Sequence, residues 1–264
     1  MTLLAGACSG APRATPTDAP RSPDAGPVSL GDCAAPLTAP PAELGLDPFY
    51  AKYLDVGGLP LISSSKVRDA AFPIACDVLV HMLGKHPEIV PAFAFNKIRI
   101  GIVAETEVTT DMPEHSDLNT AFPETDWDTR ARGLGATIER PLTSVGEENV
   151  LELSSDRYVG ENILVHELAH TYFELGAAQL TDGSARSAEL DALYAAAVQS
   201  GAFNNTYAGT NVKEYWAEAV QSFYDANLEA IPSQRDPQRD QHARRAARRR
   251  PATRRFRRAL LRGR

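Results

Sequence analysis

The chain has 264 residues, 43% of them hydrophobic and 23% charged, with a formal net charge of −7. That length and apolar content support one domain with a buried core and exclude a wholly disordered chain. Three cysteines are too few for a disulfide scaffold, and no run of about 18 apolar residues offers a membrane-spanning helix.

In chain order, residues 1–10 read MTLLAGACSG, an apolar stretch ending in small residues and then Cys8. This resembles the lipobox of bacterial lipoproteins, in which the cysteine becomes the lipidated first residue after signal cleavage. The resemblance implies that 1–8 is the remnant of a signal peptide. It further implies that the protein is secreted or held at the cell envelope through Cys8, its only membrane contact. Ahead of Cys8 there is no basic n-region and too little length for an h-region, which points to a start codon lying upstream. Residues 9–41 carry eight prolines among Ala, Ser, Thr, Gly and Asp and read as a disordered tether. Cys33 and Cys76 can pair in an exported protein, where thiols are oxidised.

Residues 42–230 form the expected domain. Apolar spacing through Ala70, Ile74, Val78 and Leu79 predicts a helix over 69–83, stopped at Gly84, and a short second helix covers 88–95. Residues 97–104, KIRIGIVA, alternate and are β-branched, so they read as a strand, taken here as an edge along which an extended peptide could lie. Residues 105–148 are polar and read as a long surface excursion. At its end, the cluster Thr143, Ser144, Glu147, Glu148 and Asn149 stands just before the helix over 161–175 and could line a cleft, but reads more readily as a solvated loop. A short strand is expected at 150–153, then helices over 161–175, 188–200 and 212–228. Strands first and helices after is the pattern of an α+β domain.

The helix over 161–175 contains His166-Glu167-Leu168-Ala169-His170. Histidines four apart share one helical face, so both imidazoles can reach a single Zn²⁺, while Glu167 is offset toward a metal-bound water. A catalytic zinc needs a third protein ligand. Glu174 and Glu189 are alternatives, but the stronger source is YAGTNVKEYWAEAV, where a helix with Asn211 or Thr210 as N-cap offers Glu214 and Glu218 four apart. One of these carboxylates can bind the metal while the other holds a ligating histidine by its free N–H. His81, His86 and His115 lack ligand spacing and read as surface or packing residues.

The segments HELAHTYFELG and YAGTNVKEYWAEAVQSF resemble the catalytic core of the zincin metallopeptidases, in the gluzincin pattern of the anthrax lethal factor catalytic domain. The resemblance covers 161–223 and implies a zincin-like fold, with a small sheet and an HExxH active-site helix. It implies that His166, His170 and Glu214 ligate zinc and that Glu167 is the general base. Tyr207 would donate to the oxyanion, and Glu218 would support the ligands from behind. The expected activity is zinc-dependent hydrolysis of peptide or protein substrates. The alternative is an inactive zincin-like envelope protein that binds zinc or a partner.

The chain ends differently. Residues 235–264 hold 13 Arg, no Lys and 2 Asp, a net of +11, which leaves 14 basic and 32 acidic residues, a net of −18, on 1–234. An Arg-rich tail can bind nucleic acid by counterion release. The abrupt change, the Arg-without-Lys composition and the lack of aromatic platforms point instead to a frameshift from about residue 233. Residues 231–264 are therefore set apart as a disordered tail, and no nucleic-acid partner is expected.

Overall fold

A computed structural model describes residues 30–227. The signal remnant with Cys8, most of the tether and the Arg-rich tail lie outside the described residues. Residues 30–41 of the stretch read as tether are packed on the body. Leu30 and Cys33 are buried, and Thr38 exchanges backbone hydrogen bonds with Tyr53. Cys33 is disulfide-bonded to Cys76, 43 residues on. The domain thus starts before the expected boundary at 42, because a covalent link and a β-bridge hold a segment whose composition alone reads as a linker. Closing a loop of that length removes about 4 kcal/mol of chain entropy from the unfolded state. Reduction is therefore expected to lower the unfolding free energy by about 3–4 kcal/mol, read as a fall in urea midpoint with dithiothreitol that Cys33→Ser reproduces.

The fold is α+β, with a five-stranded mixed sheet in the order β1-β2-β3-β5-β4. β1 (Lys52–Val56) and β2 (Leu59–Ser63) form an antiparallel hairpin. Its turn is Gly57-Gly58, both at positive φ, with Asp55 Oδ1 accepting from Gly58 N–H at 2.9 Å. Gly57 is also needed for space, since a Cβ there would lie 2.8 Å from the Leu30 backbone. α1 (Ala71–Leu83) and α2 (Ile89–Phe95) follow as expected. β3 (Arg99–Val103) is the expected strand, but it lies in the centre of the sheet, parallel to β2 on one side and to β5 on the other. It has no free edge, which rules out peptide addition there; the outer strands are β1 and β4.

The excursion over 105–148 is more structured than its polarity suggests. It contains α3 (Leu118–Ala121), α4 (Trp127–Arg130), β4 (Gly133–Leu134) and β5 (Leu142–Gly146). Every residue of β5 is buried, and the cluster from Thr143 to Asn149, read as solvated, is interior. Its polar groups are internally paired. Thr143 meets Thr171, and the Glu147 carboxylate accepts from the N–H groups of Arg68 and Glu105. Arg132 makes a bidentate pair with Glu148 at 2.6 and 2.8 Å. α5 (Glu147–Val150) replaces the strand expected at 150–153.

Three α-helices follow among the described residues: α6 (Ile163–Leu175), α7 (Gly183–Ser200) and α8 (Val212–Phe223). The main core lies between one sheet face and α1, α2 and α6, through residues such as Leu61, Ile100, Ile102, Phe72, Leu79 and Leu168. The opposite face carries a smaller cluster of Tyr50, Ile62, Val103, Met112 and Leu142. Among the described residues no helix is long and apolar enough to cross a membrane.

His115, against this second face, has a consequence for pH near neutrality. It is 1% exposed, with Nε2 3.1 Å from Ser144 Oγ. Burial, aided by the charge of Arg140, pulls its imidazole down to about 4. The unfolded chain, near 6.5, therefore takes up the proton first, and stability falls as pH drops from above 6.5 toward 4. The loss reaches roughly 3 kcal/mol at the lower end. Melting temperatures across pH 4–7 check this, with His115→Gln flattening the profile.

Candidate metal centre

α6 begins at Asn162, whose side-chain oxygen accepts from Val165 N–H at 3.0 Å. Asn149 sets this entry point, accepting from Ile163 N–H and donating to the Glu161 carbonyl. Midway along, Thr171 Oγ1 accepts from Ala136 N–H at 2.9 Å and meets Thr143 of β5, fixing the helix to the sheet. β4 lies close against the same helix: a Cβ on Gly133 would come 2.6 Å from Ile163 and 3.3 Å from Glu167. The edge strand can approach the HExxH turn this closely only because that position is glycine.

α8 crosses α6. It is capped by Asn211, which accepts from the N–H groups of Lys213 and Glu214 at 2.9 and 3.0 Å. Trp216 Nε1–H donates to the Ala169 carbonyl at 2.7 Å. These contacts deliver Glu214 to the two histidines. His166 Nε2 and His170 Nε2 are 3.1 Å apart, and Glu214 Oε2 lies 3.1 Å from the first and 3.4 Å from the second. The three ligand atoms lie within 4.8 Å of one another, and the group is able to hold a metal ion. At that separation the two ring nitrogens can share a proton, one donating and the other accepting, or face a common cation.

Donor chemistry fits a metal as well. Gln221 Nε2 donates to the carbonyls of Asn162 and Ala226 at 3.2 and 3.4 Å, which orients its Oε1 to accept from His166 Nδ1–H at 2.8 Å. With the proton on Nδ1, the Nε2 lone pair faces the centre. Burial opposes charge on His166, but the hydrogen bond to Glu214, the Glu167 carboxylate and Gln221 together push it up to about 9. Burial likewise opposes charge on Glu214, and its hydrogen bonds to His166 and His170 prevail, holding it at about 2. The same surroundings stabilise any positive charge placed among these atoms.

Comparison of the chain with protein-family models, with curated proteins and with solved structures found no match.

Glu167 lies between the two histidines on α6. Burial raises its carboxyl, against the lowering effect of His166, His170 and the Gly135 N–H. Tyr207 sits in a 3₁₀ turn, Tyr207–Gly209, capped by Thr206. It is 54% exposed, and its ring centroid is 6.0 Å from that of His166, so it borders the centre instead of packing in a core. Partial burial and the charges of Glu214 and Glu167 push its hydroxyl up. Glu218 departs from its expected role. His166 Nδ1–H donates instead to Gln221 Oε1, one turn further along α8. Glu218 is half-buried and raised by that burial; burial first, and then the charge of Glu218, push Glu161 up to about 7. Glu174 is paired with Lys213 at 2.8 Å, and Glu189 is exposed, so neither reaches the centre.

Gln221 is the functional residue that motif reading misses. Its signal was its position seven after Glu214, two turns on along the same face. Gln221→Ala is expected to weaken divalent-metal affinity about 10–100-fold, measured by competition with a chromophoric chelator. Loss of its bonds to Asn162 and Ala226 should also cost about 1–3 kcal/mol of stability.

Proposed function

We propose that the chain is a zinc-dependent metallopeptidase with a zincin-like domain. The observation that carries this reading is the convergence of His166, His170 and Glu214, with Glu167 beside them on the same helix. Two imidazoles and one carboxylate are the donor set of catalytic zinc sites, which leave a position open. The mixed sheet, with its antiparallel edge strand β4 against the histidine helix, supports the zincin-like assignment.

Zinc, when bound, supplies Lewis acidity toward a carbonyl and lowers the pKa of water. Glu167 takes one proton as water adds to the peptide carbonyl carbon. It returns that proton to the leaving amine as the C–N bond breaks, leaving a carboxylic acid and an amine. Its raised pKa suits it to both transfers. Tyr207, held protonated at neutral pH, donates from its hydroxyl to the carbonyl oxygen as negative charge develops. Gln221 keeps His166 in the tautomer the centre requires. The outer edge of β4, which has no strand beyond it among the described residues, offers backbone groups to an extended substrate.

The Cys33–Cys76 disulfide supports an exported protein, since such bonds persist in oxidising compartments. Secretion or anchoring at the envelope through Cys8 belongs to the same proposal. The test uses the full chain, stripped with chelator and reloaded with zinc, against a peptide library read by mass spectrometry. Cleavage should appear with zinc and vanish without it. A zinc-loaded protein that leaves the whole library intact would overturn the reading.

A further inference from the structure

A single buried hydroxyl joins three parts of the fold beside Glu167. Thr171 is fully buried, and its Oγ1 accepts from Ala136 N–H at 2.9 Å, donates to the Glu167 carbonyl at 3.1 Å and meets Thr143 Oγ1 at 2.6 Å. A hydroxyl has one proton and two lone pairs. With the proton given to Glu167 and one lone pair to Ala136, Thr143 is left as the donor in the third bond. The group is therefore saturated, and it links β5, the chain just past β4 and the backbone of the candidate base. Ala136 follows directly on Gly135, whose N–H donates to the Glu167 carboxylate. The approach there is close: a Cβ on Gly135 would lie 3.0 Å from His170 Cβ and 3.7 Å from Glu167 Oε2.

We propose that Thr171, supported by Thr143, is a positioning residue that aims the Glu167 carboxylate through the Gly135 N–H; its effect on rate rests on the peptidase reading above. Thr171 holds Glu167 twice, once by the backbone carbonyl and once through the neighbour of the amide that bonds the side chain. Anchoring one carboxylate oxygen fixes the direction of the other, and proton transfer depends steeply on that direction. Neither threonine is among the converging ligand atoms, so the hydroxyl pair acts on the base and leaves the metal-ligating group alone.

The test uses the zinc-loaded full chain. Thr171→Val removes the hydroxyl at nearly constant volume, and Thr171→Ser puts it back. Thr171→Val should keep one zinc per chain and lower kcat about 10²-fold, with KM within about threefold of wild type. Thr171→Ser should return kcat to within about threefold. Wild-type kcat in Thr171→Val, or a loss that Thr171→Ser does not repair, would overturn the proposal. Thr143→Val, one bond further out, should lower kcat about tenfold and serves if Thr171→Val does not fold. A second readout needs no turnover: the Gly135 amide proton, followed by NMR. Glu167→Gln should move it upfield, since a neutral amide oxygen is a weaker acceptor than a carboxylate. In the Thr143→Val background the same substitution should move it less than half as far. Equal shifts in the two backgrounds would overturn the positioning role whether or not the chain cleaves peptides. Absence of cleavage by the zinc-loaded wild type, with unequal shifts, would instead overturn the peptidase reading alone.

Discussion

Glu167→Gln is expected to keep one zinc per chain and to lose peptide hydrolysis by about 10³-fold. The side chain is not among the converging ligand atoms, so metal binding should survive its neutralisation. Its shape is preserved, and the Gly135 N–H retains an oxygen acceptor. What disappears, on the proposed mechanism, is the carboxylate that would carry a proton from water to the leaving amine, a contribution of about 10²–10⁴ in rate. Burial already disfavours charge at this position, so the amide should not destabilise the fold, and the melting temperature should hold or rise. Zinc content, melting temperature and kcat/KM on a cleaved peptide decide it together. Wild-type turnover in this variant would remove Glu167 from the mechanism.

His166→Ala and Glu214→Ala should each abolish both metal retention and activity, whereas Glu174→Ala and Glu189→Ala should change neither by more than about twofold. The contrast follows from position. Glu214 stands within 3.4 Å of both histidine nitrogens, while Glu174 is tied to Lys213 and Glu189 faces solvent. A three-ligand site that loses one donor falls to two, below what holds a catalytic zinc. His166→Ala should also lower stability, because Gln221 Oε1 is then left buried without its donor, at about 1–3 kcal/mol. Glu214→Ala should lower stability as well, because it removes a carboxylate that its hydrogen bonds to both histidines hold ionised against burial. Metal content after desalting, set beside urea midpoints, separates these effects.

α1 and α6 were legible because their apolar residues recur at helical spacing and glycine follows each, whereas α7 starts at Gly183, five residues before its expected start, and α8 stops at Phe223 with no glycine to mark it. α1 and α6 lie within two residues of their predicted starts and stop where Gly84 and Gly176 follow. β3 was legible from its alternation, but its place in the sheet was not. A strand buried on both faces by neighbours reads much like an edge strand in a single sequence. The β1–β2 hairpin carries a local signal too, since Gly57-Gly58 stands between two apolar runs. β5 was hidden by Thr143, Ser144 and Glu147, whose polarity argues for solvent. Their partners, Thr171, His115, Arg68 and Glu105, come from distant parts of the chain, so their burial could not be read locally.

The sequence by itself determined the metal-facing pair. Spacing of four along a helix brings His166 and His170 onto one face whatever surrounds them, and Asn211 caps the helix of Glu214 by local geometry alone. The acidic body, with a net of −18 on 1–234 against +11 on the tail, is equally a property of composition. Only the tertiary structure decided which glutamate completes the group, which residue orients His166, and which strand forms the edge beside the centre. Each of those depends on where α8 and β4 dock against α6. That docking is set by long-range contacts such as Trp216 to Ala169 and by the room left at Gly133, which no local pattern encodes.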